Sequence, residues 1–190
     1  VLIRAFDANA GSERISLAAA DLEANYGDPR AATLLLSRAR TEVGSVRVWL
    51  KSAVFERNKG EVTKALEIVQ RGLAIHPDAA KLHMMHGQLL EQLGGEEDFR
   101  KAREAYATGC KVVPGSVPLW ILSSRLEEKV GLAIRARALL EKARLVHERS
   151  DLVWAESAAI ELRAGATGQA KTLLARGLQA CPTSGLLWSE

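Results

Sequence analysis

The chain has 190 residues, 26 Lys and Arg against 23 Asp and Glu, a formal net charge of +3 and 47% apolar residues. This excludes a disordered chain, two Cys exclude a disulfide scaffold, and no apolar run approaches the roughly 18 residues of a membrane helix. The charge is too small to predict nucleic-acid binding by itself.

Ala, Leu, Arg and Glu dominate, all good helix formers. Val and Ile never alternate over a long run, which argues against a β sandwich or barrel. With so few Cys, a reduced, intracellular setting is expected.

A period of 34 organises the elements. Trp120, Trp154 and Trp188 are 34 apart, and Trp49 precedes Trp120 by 71, two periods plus three. Trp49, Trp120 and Trp154 are each followed at seven by Glu, at eleven by Gly, at sixteen by Ala and at twenty-three by Gly or Ala, as in Glu127, Gly131, Ala136 and Ala143 after Trp120. Such self-similarity is the mark of a stacked repeat.

In chain order, Val1 to Asn9 reads as the tail of a preceding repeat, assigned to 1–12, so a fragment of a longer protein is expected. The first full repeat, 13–45, is headed by Ser16, with Glu23, Gly27 and Ala32 at the expected offsets. Asp28-Pro29 in it is an N-cap followed by Pro at the first helical position. Trp49 heads 46–79. His83 heads 80–116, where Leu90 replaces the Glu and three residues are inserted around Gly94-Gly95-Glu96. Trp120 heads 117–150 and Trp154 heads 151–183, with Ser116, Ser150 and Thr183 or Ser184 as candidate caps. Leu187-Trp188 opens a further repeat at 184–190.

Each repeat reads as two helices. Helix A runs from about two residues before the anchor to nine after it, the Gly makes the turn, and helix B carries the small residues. Apolar side chains recur at three and four, as in Leu119, Leu122 and Leu126. One pair is too small to be stable alone, and stacking supplies the core. The expected fold is therefore all-α, a right-handed superhelical solenoid of antiparallel helix pairs in one continuous array over 1–190. Trp49, Trp120, Trp154 and Trp188 are expected to be the structural anchors of the repeats, with Trp120 and Trp154 large buried side chains.

The repeated carboxylates Glu23, Glu56, Glu127 and Glu161 lie two turns after their anchors, on the packed stripe. They sit one per repeat and do not converge, so a structural role is expected. The proposed donors are backbone N–H groups or the bases twenty-two after each anchor: Arg38, Arg71, Lys142 and Arg176.

His83 and His86 share a helix face, but zinc wants three or four ligands and no third is nearby in sequence. No nucleophile elbow, phosphate loop or acid–base pair is present. The expectation is no enzyme, no metal, no cofactor and no small-molecule substrate.

Tetratricopeptide arrays have this period, and the Ala, small-residue and Pro positions agree. Their Tyr slot, however, holds Glu here. A Trp–Glu–Ala-Arg–Arg-Ala pattern, clearest in Arg135-Ala136-Arg137-Ala138-Leu139-Leu140-Glu141-Lys142-Ala143-Arg144, resembles the half-a-TPR, or HAT, repeat. Families with such repeats belong to RNA-processing complexes. The strings Lys101-Ala102-Arg103-Glu104-Ala105-Tyr106, Pro118-Leu119-Trp120 and Cys181-Pro182-Thr183-Ser184-Gly185 are similar to the C-terminal array of the pre-mRNA-processing factor six family, scaffolds of the spliceosomal tri-snRNP. The resemblance implies a nuclear scaffold for pre-mRNA splicing that binds other snRNP proteins. A tetratricopeptide-type peptide receptor and an RNA-binding HAT protein of cleavage, polyadenylation or ribosome assembly remain alternatives.

In tetratricopeptide stacks the A helices line a concave groove. Its expected slots hold Arg14, Arg47, Arg57, Lys81, Arg125, Lys129 and Arg163, candidates for a basic face toward an acidic peptide or an RNA backbone. Stacking aromatics are missing from those slots, so any RNA contact is expected to be without sequence specificity.

Overall fold

The computed structural model describes residues 12–189, and the expected tail of a preceding repeat lies almost entirely outside them. Eleven helices and no strand occur among the described residues: α1 Glu13–Tyr26, α2 Pro29–Glu42, α3 Val46–Asn58, α4 Val62–Ile75, α5 Ala80–Leu93, α6 Glu96–Val112, α7 Val117–Lys129, α8 Ala133–Val146, α9 Asp151–Arg163, α10 Thr167–Ala180 and α11 Gly185–Ser189. The fold is an all-α helical repeat. None of these helices is long and apolar enough to cross a membrane.

The described residues fall into two compact units, one ending at Asp98 and the other beginning at Phe99, within the first turn of α6. In the first unit α1 packs on α2 and α3 on α4, while α3 also touches α1 and α5. In the second, α7 packs on α8 and α9 on α10, while α9 also touches α7 and α11. Within each unit, α1, α3, α7 and α9 thus contact their own B helix and the next A helix. The first unit's core gathers Trp49, Ala53, Ala65, Val69, Leu82 and Leu89. The second has Ala136, Leu140 and Ile160 at its centre.

The turn glycines have a strict task. Gly60, Gly131 and Gly165 adopt φ of 84°, 81° and 77°. The amide after each returns to the carbonyl of the repeated Glu: Glu61 to Glu56, Leu132 to Glu127 and Ala166 to Glu161, at 2.8–3.0 Å. The Gly amide itself bonds three residues back. This is a Schellman stop. The Glu–Gly spacing of four is therefore the spacing of a helix end.

The three-residue insertion is absorbed into helix: α6 has 17 residues where α4, α8 and α10 have 14. Asp28 caps α2 by accepting the Arg30 amide at 2.9 Å, and Ser184 Oγ accepts the Leu187 amide at 3.3 Å. Ser116 and Ser150 stand at N-cap positions in extended backbone but accept no amide, which corrects the expectation for them. Ser45, not foreseen as a cap, accepts the Val48 amide.

Candidate functional site

Three of the four repeated carboxylates, Glu56, Glu127 and Glu161, take a bond from the preceding repeat. Glu127 is 3% exposed, and its Oε1 accepts from Arg103 Nε, on α6. Glu161, 6% exposed, takes two bonds from Arg137 on α8, at 2.7 and 2.8 Å. Glu56 is buried and accepts from Lys59 at 3.2 Å and from the Thr33 hydroxyl of α2 at 3.5 Å. Glu23, only half-buried, accepts the Asp28 amide at 3.2 Å. Thr33, Arg103 and Arg137 occupy one register slot, seventeen after their anchors once the insertion is allowed for. That same slot holds Leu66 in the repeat before Leu90, so both members change to apolar together.

The backbone donor expected as one alternative is found at Glu23, while the four proposed bases are corrected. Arg71, Lys142 and Arg176 are exposed, and Arg38 pairs with Glu42 on its own helix. At Glu127 and Glu161 the bond comes from the neighbouring repeat because the Glu faces the inter-repeat seam.

The anchors share a hydrogen bond rather than a degree of burial. Trp120, Trp154 and Trp188 each donate the indole N–H to the carbonyl six residues earlier, that of Pro114, Glu148 and Pro182. Trp49 donates five back, to Gly44. His83 places Nε2 2.8 Å from the carbonyl of Pro77, again six back. A ring nitrogen that closes the entry loop is what Trp and His have in common. His76 and His147, at the ends of helices α4 and α8, bond the same Gly44 and Pro114 carbonyls at 2.6 and 2.8 Å. The expected burial of Trp120 and Trp154 is only partial, both being half-buried, while Trp49 is 6% exposed and Trp188 70%.

The small residues explain how an indole fits. A Cβ on Gly177 would lie 2.9 Å from Trp154 Cβ and 3.2 Å from Leu187 Cδ1. One on Gly72 would lie 3.2 Å from Trp49 and from Leu82. Helix B thus approaches its own anchor and the next A helix at once.

The groove candidates are treated unit by unit. In the first unit Arg14, Arg47 and Lys81 are exposed. Arg47 is 3.5 Å from Glu13, and Arg57 Nη1 lies 3.9 Å from Met85 Sδ. In the second, Arg125, Lys129 and Arg163 are exposed, but the two arginines are not free charges. Arg163 makes two bonds to Glu128, at 2.9 and 2.8 Å, and a third to Glu156 at 3.0 Å. Arg125 bonds the other oxygen of Glu156 at 2.5 Å. Two guanidiniums and two carboxylates form a closed, neutral network linking α7 and α9. Lys129 lies over the Phe99 ring, 5.0 Å from its centroid. Burial pushes the Glu156 carboxyl up, yet the bonds and charges of Arg125 and Arg163 outweigh it and hold it below the ordinary range. In turn the Glu156 bond raises Arg125 above its ordinary value, and the bonds to Glu128 and then Glu156 raise Arg163.

Neither Glu156 nor Glu128 was singled out in the sequence. Glu128 occupies a groove slot, eight after its anchor, and was legible as a counter-charge to the groove arginines, Arg163 among them. Glu156 lies outside the groove slots considered.

Among the described residues no three His, Cys, Asp or Glu gather as a metal site. The Cys110 thiol is buried and pushed up to about 11, as suits an unreactive core residue.

Stacked helix pairs with small-residue seams define a tetratricopeptide-like repeat. Solved structures agree on the fold: a tetratricopeptide protein from Thermus thermophilus superposes with a TM-score of 0.61 over 94% of this chain and 96% of that one, at 20% identity. MamA does so at 0.61 over 85% of this chain and 93% of its own, at 13% identity.

No protein-family model matches the chain. Its sequence is homologous to pre-mRNA-splicing factors. Pre-mRNA-splicing factor prp1 of Schizosaccharomyces pombe is 43% identical over 147 residues, 77% of this chain and 16% of that protein. Pre-mRNA-splicing factor 6 of Saccharomyces cerevisiae is 29% identical over 149 residues, again 77% and 16%. The chain thus spans about one-sixth of the length of these relatives.

Proposed function

We propose that this chain is a binding segment of a nuclear pre-mRNA-splicing scaffold that helps assemble and bridge the tri-snRNP. The observation that carries the reading is the 43% identity to splicing factor prp1 across 147 residues. Twenty-nine per cent identity to splicing factor 6 over a similar length supports it. The partners are spliceosomal snRNP proteins, met on the exposed faces of the repeats. Arg14, Arg47 and Lys81 in the first unit remain candidates for acidic partner segments. RNA contact is secondary and without sequence specificity. No step of chemistry is assigned to the segment.

The test is affinity purification of the full-length protein from nuclear extract. Recovery of tri-snRNP proteins, lost when this segment is deleted, is the expected result. Recovery of chaperones instead would overturn the assignment and leave a peptide receptor.

A further inference from the structure

A cavity of about 320 Å³ opens in the second unit between α8, α9 and α10. Leu140, Ile160 and Leu173 supply its apolar wall, with Arg137, Arg144 and Thr172 beside them. The volume lies at the lower end of small-ligand sites, about 300–1,000 Å³. We propose that this cavity docks an acidic side chain, an Asp or Glu flanked by apolar residues on a segment of a protein partner, with the carboxylate ion-paired to Arg144 against Trp154.

Arg144 is the reason. Its guanidinium lies 5.4 Å from the centre of the Trp154 indole, an arrangement that holds the planar fork in place. A guanidinium carries five N–H donors. Among the described residues Arg144 has no hydrogen bond and no ion pair, only the indole. It is half-buried, and its donors, reachable from solvent, are open to an acceptor brought by a partner. Burial lowers its pKa, the nearby charge of Arg176 lowers it further, and Glu141 and Glu161 act the other way. Both oxygens of Glu161 are already held by Arg137. Glu141 forms no bond to Arg144 although it lies one turn away on the same helix.

Charge balance selects the occupant. The lining holds two arginines and two glutamates, with Arg176 adding one positive charge nearby. A phosphate chain gains little from so small an excess and nothing from the leucine wall. A single carboxylate with apolar neighbours uses both.

The placement recurs in the first unit. Arg40 lies 5.8 Å from the Trp49 centroid, with Arg71 near enough to lower its pKa. Arg40 and Arg144 share one register slot, and Arg71 and Arg176 share another. The arginine is not a requirement of the repeat, because the equivalent slot before Trp120 holds Cys110 and that before His83 holds Leu73.

The proposal deepens the scaffold reading and rests on it only for the occupant being a protein. The experiment is a titration of the 190-residue chain, followed by the indole N–H resonance of Trp154, assigned by its loss in Trp154→Phe. The probes are the peptide acetyl-Leu-Glu-Leu-amide, its Gln counterpart and a single-stranded oligoribonucleotide. The Glu peptide should move the Trp154 resonance saturably and bind about tenfold tighter than the Gln peptide, the difference of one charge-assisted bond. Arg144→Gln should abolish that preference while the other three indole resonances stay in place, and Arg144→Lys should restore part of it. Equal affinity for the two peptides, an unmoved Trp154 resonance, or saturation by the oligoribonucleotide alone would each overturn it. Failure of the tri-snRNP purification with a positive peptide titration sinks only the splicing assignment, and the converse sinks only the pocket.

Discussion

At the scale of single residues, the Glu161–Arg137 pair shows what the repeat asks of its polar seam. Removing one member leaves a buried charge without its counter-charge, a loss of about 3–5 kcal/mol. Arg137→Leu alone should therefore lower the urea midpoint sharply. Adding Glu161→Leu should recover most of the loss, because Leu66 and Leu90 already fill the same two slots with apolar side chains. A double variant no more stable than Arg137→Leu would show that the Glu has a second task. Glu156 offers a pH test. Its carboxyl sits below the ordinary range in the folded state, so the stability it adds is present above the unfolded value of about 4.3 and lost as pH falls through the lower folded value. Glu156→Gln should flatten the acid limb of the stability profile below about pH 4.3. An unchanged acid limb would count against the network.

At the scale of the helices, the glycines of helix B separate propensity from packing. Ala is the better helix former by about 1 kcal/mol. Gly177→Ala should nevertheless destabilise by about 1–3 kcal/mol, since the new methyl meets Trp154 at 2.9 Å. Gly168→Ala on the same helix has open space around it and should be neutral or stabilising. Thermal melts of the two variants check this, and a destabilised Gly168→Ala would remove the contrast. The anchors should rank by burial: Trp49→Ala near the 3–5 kcal/mol of a core aromatic, Trp188→Ala much less. The 34-residue period, the Gly stops, the small residues and the Glu stripe were all readable, since each is a local requirement repeated in register. The partner of the Glu was not. A period fixes which residues are equivalent but not which neighbour a helix face meets, and Arg103 and Arg137 lie one repeat earlier than the bases first considered. Anchor burial was illegible for a related reason: an indole is covered by residues of adjoining repeats, and those differ from copy to copy.

At the scale of the whole molecule, the question is what the basic residues are for. The chain carries a formal charge of only +3, and in the second unit Arg125 and Arg163 are neutralised by Glu128 and Glu156. Binding to single-stranded RNA loses affinity with salt in proportion to the phosphates neutralised, with a logarithmic slope of about −0.7 for each. A neutral network contributes none. Filter binding of an oligoribonucleotide to this chain should therefore be weak and only shallowly salt-dependent. Replacing Glu128 and Glu156 together by Gln frees both guanidiniums without altering shape, and should steepen the slope by up to about 1.4, two phosphates' worth. The same variant should be less stable, because Glu156 is buried between two arginines that would lose their charge-assisted bonds. A steep slope in the unsubstituted chain, equivalent to about six or more phosphates, would mean that Arg14, Arg47, Lys81 and their neighbours track a nucleic-acid backbone after all. An unchanged slope in the variant would mean that the second unit's A helices lie away from any RNA, and that the carboxylates hold the repeats together without screening a binding face.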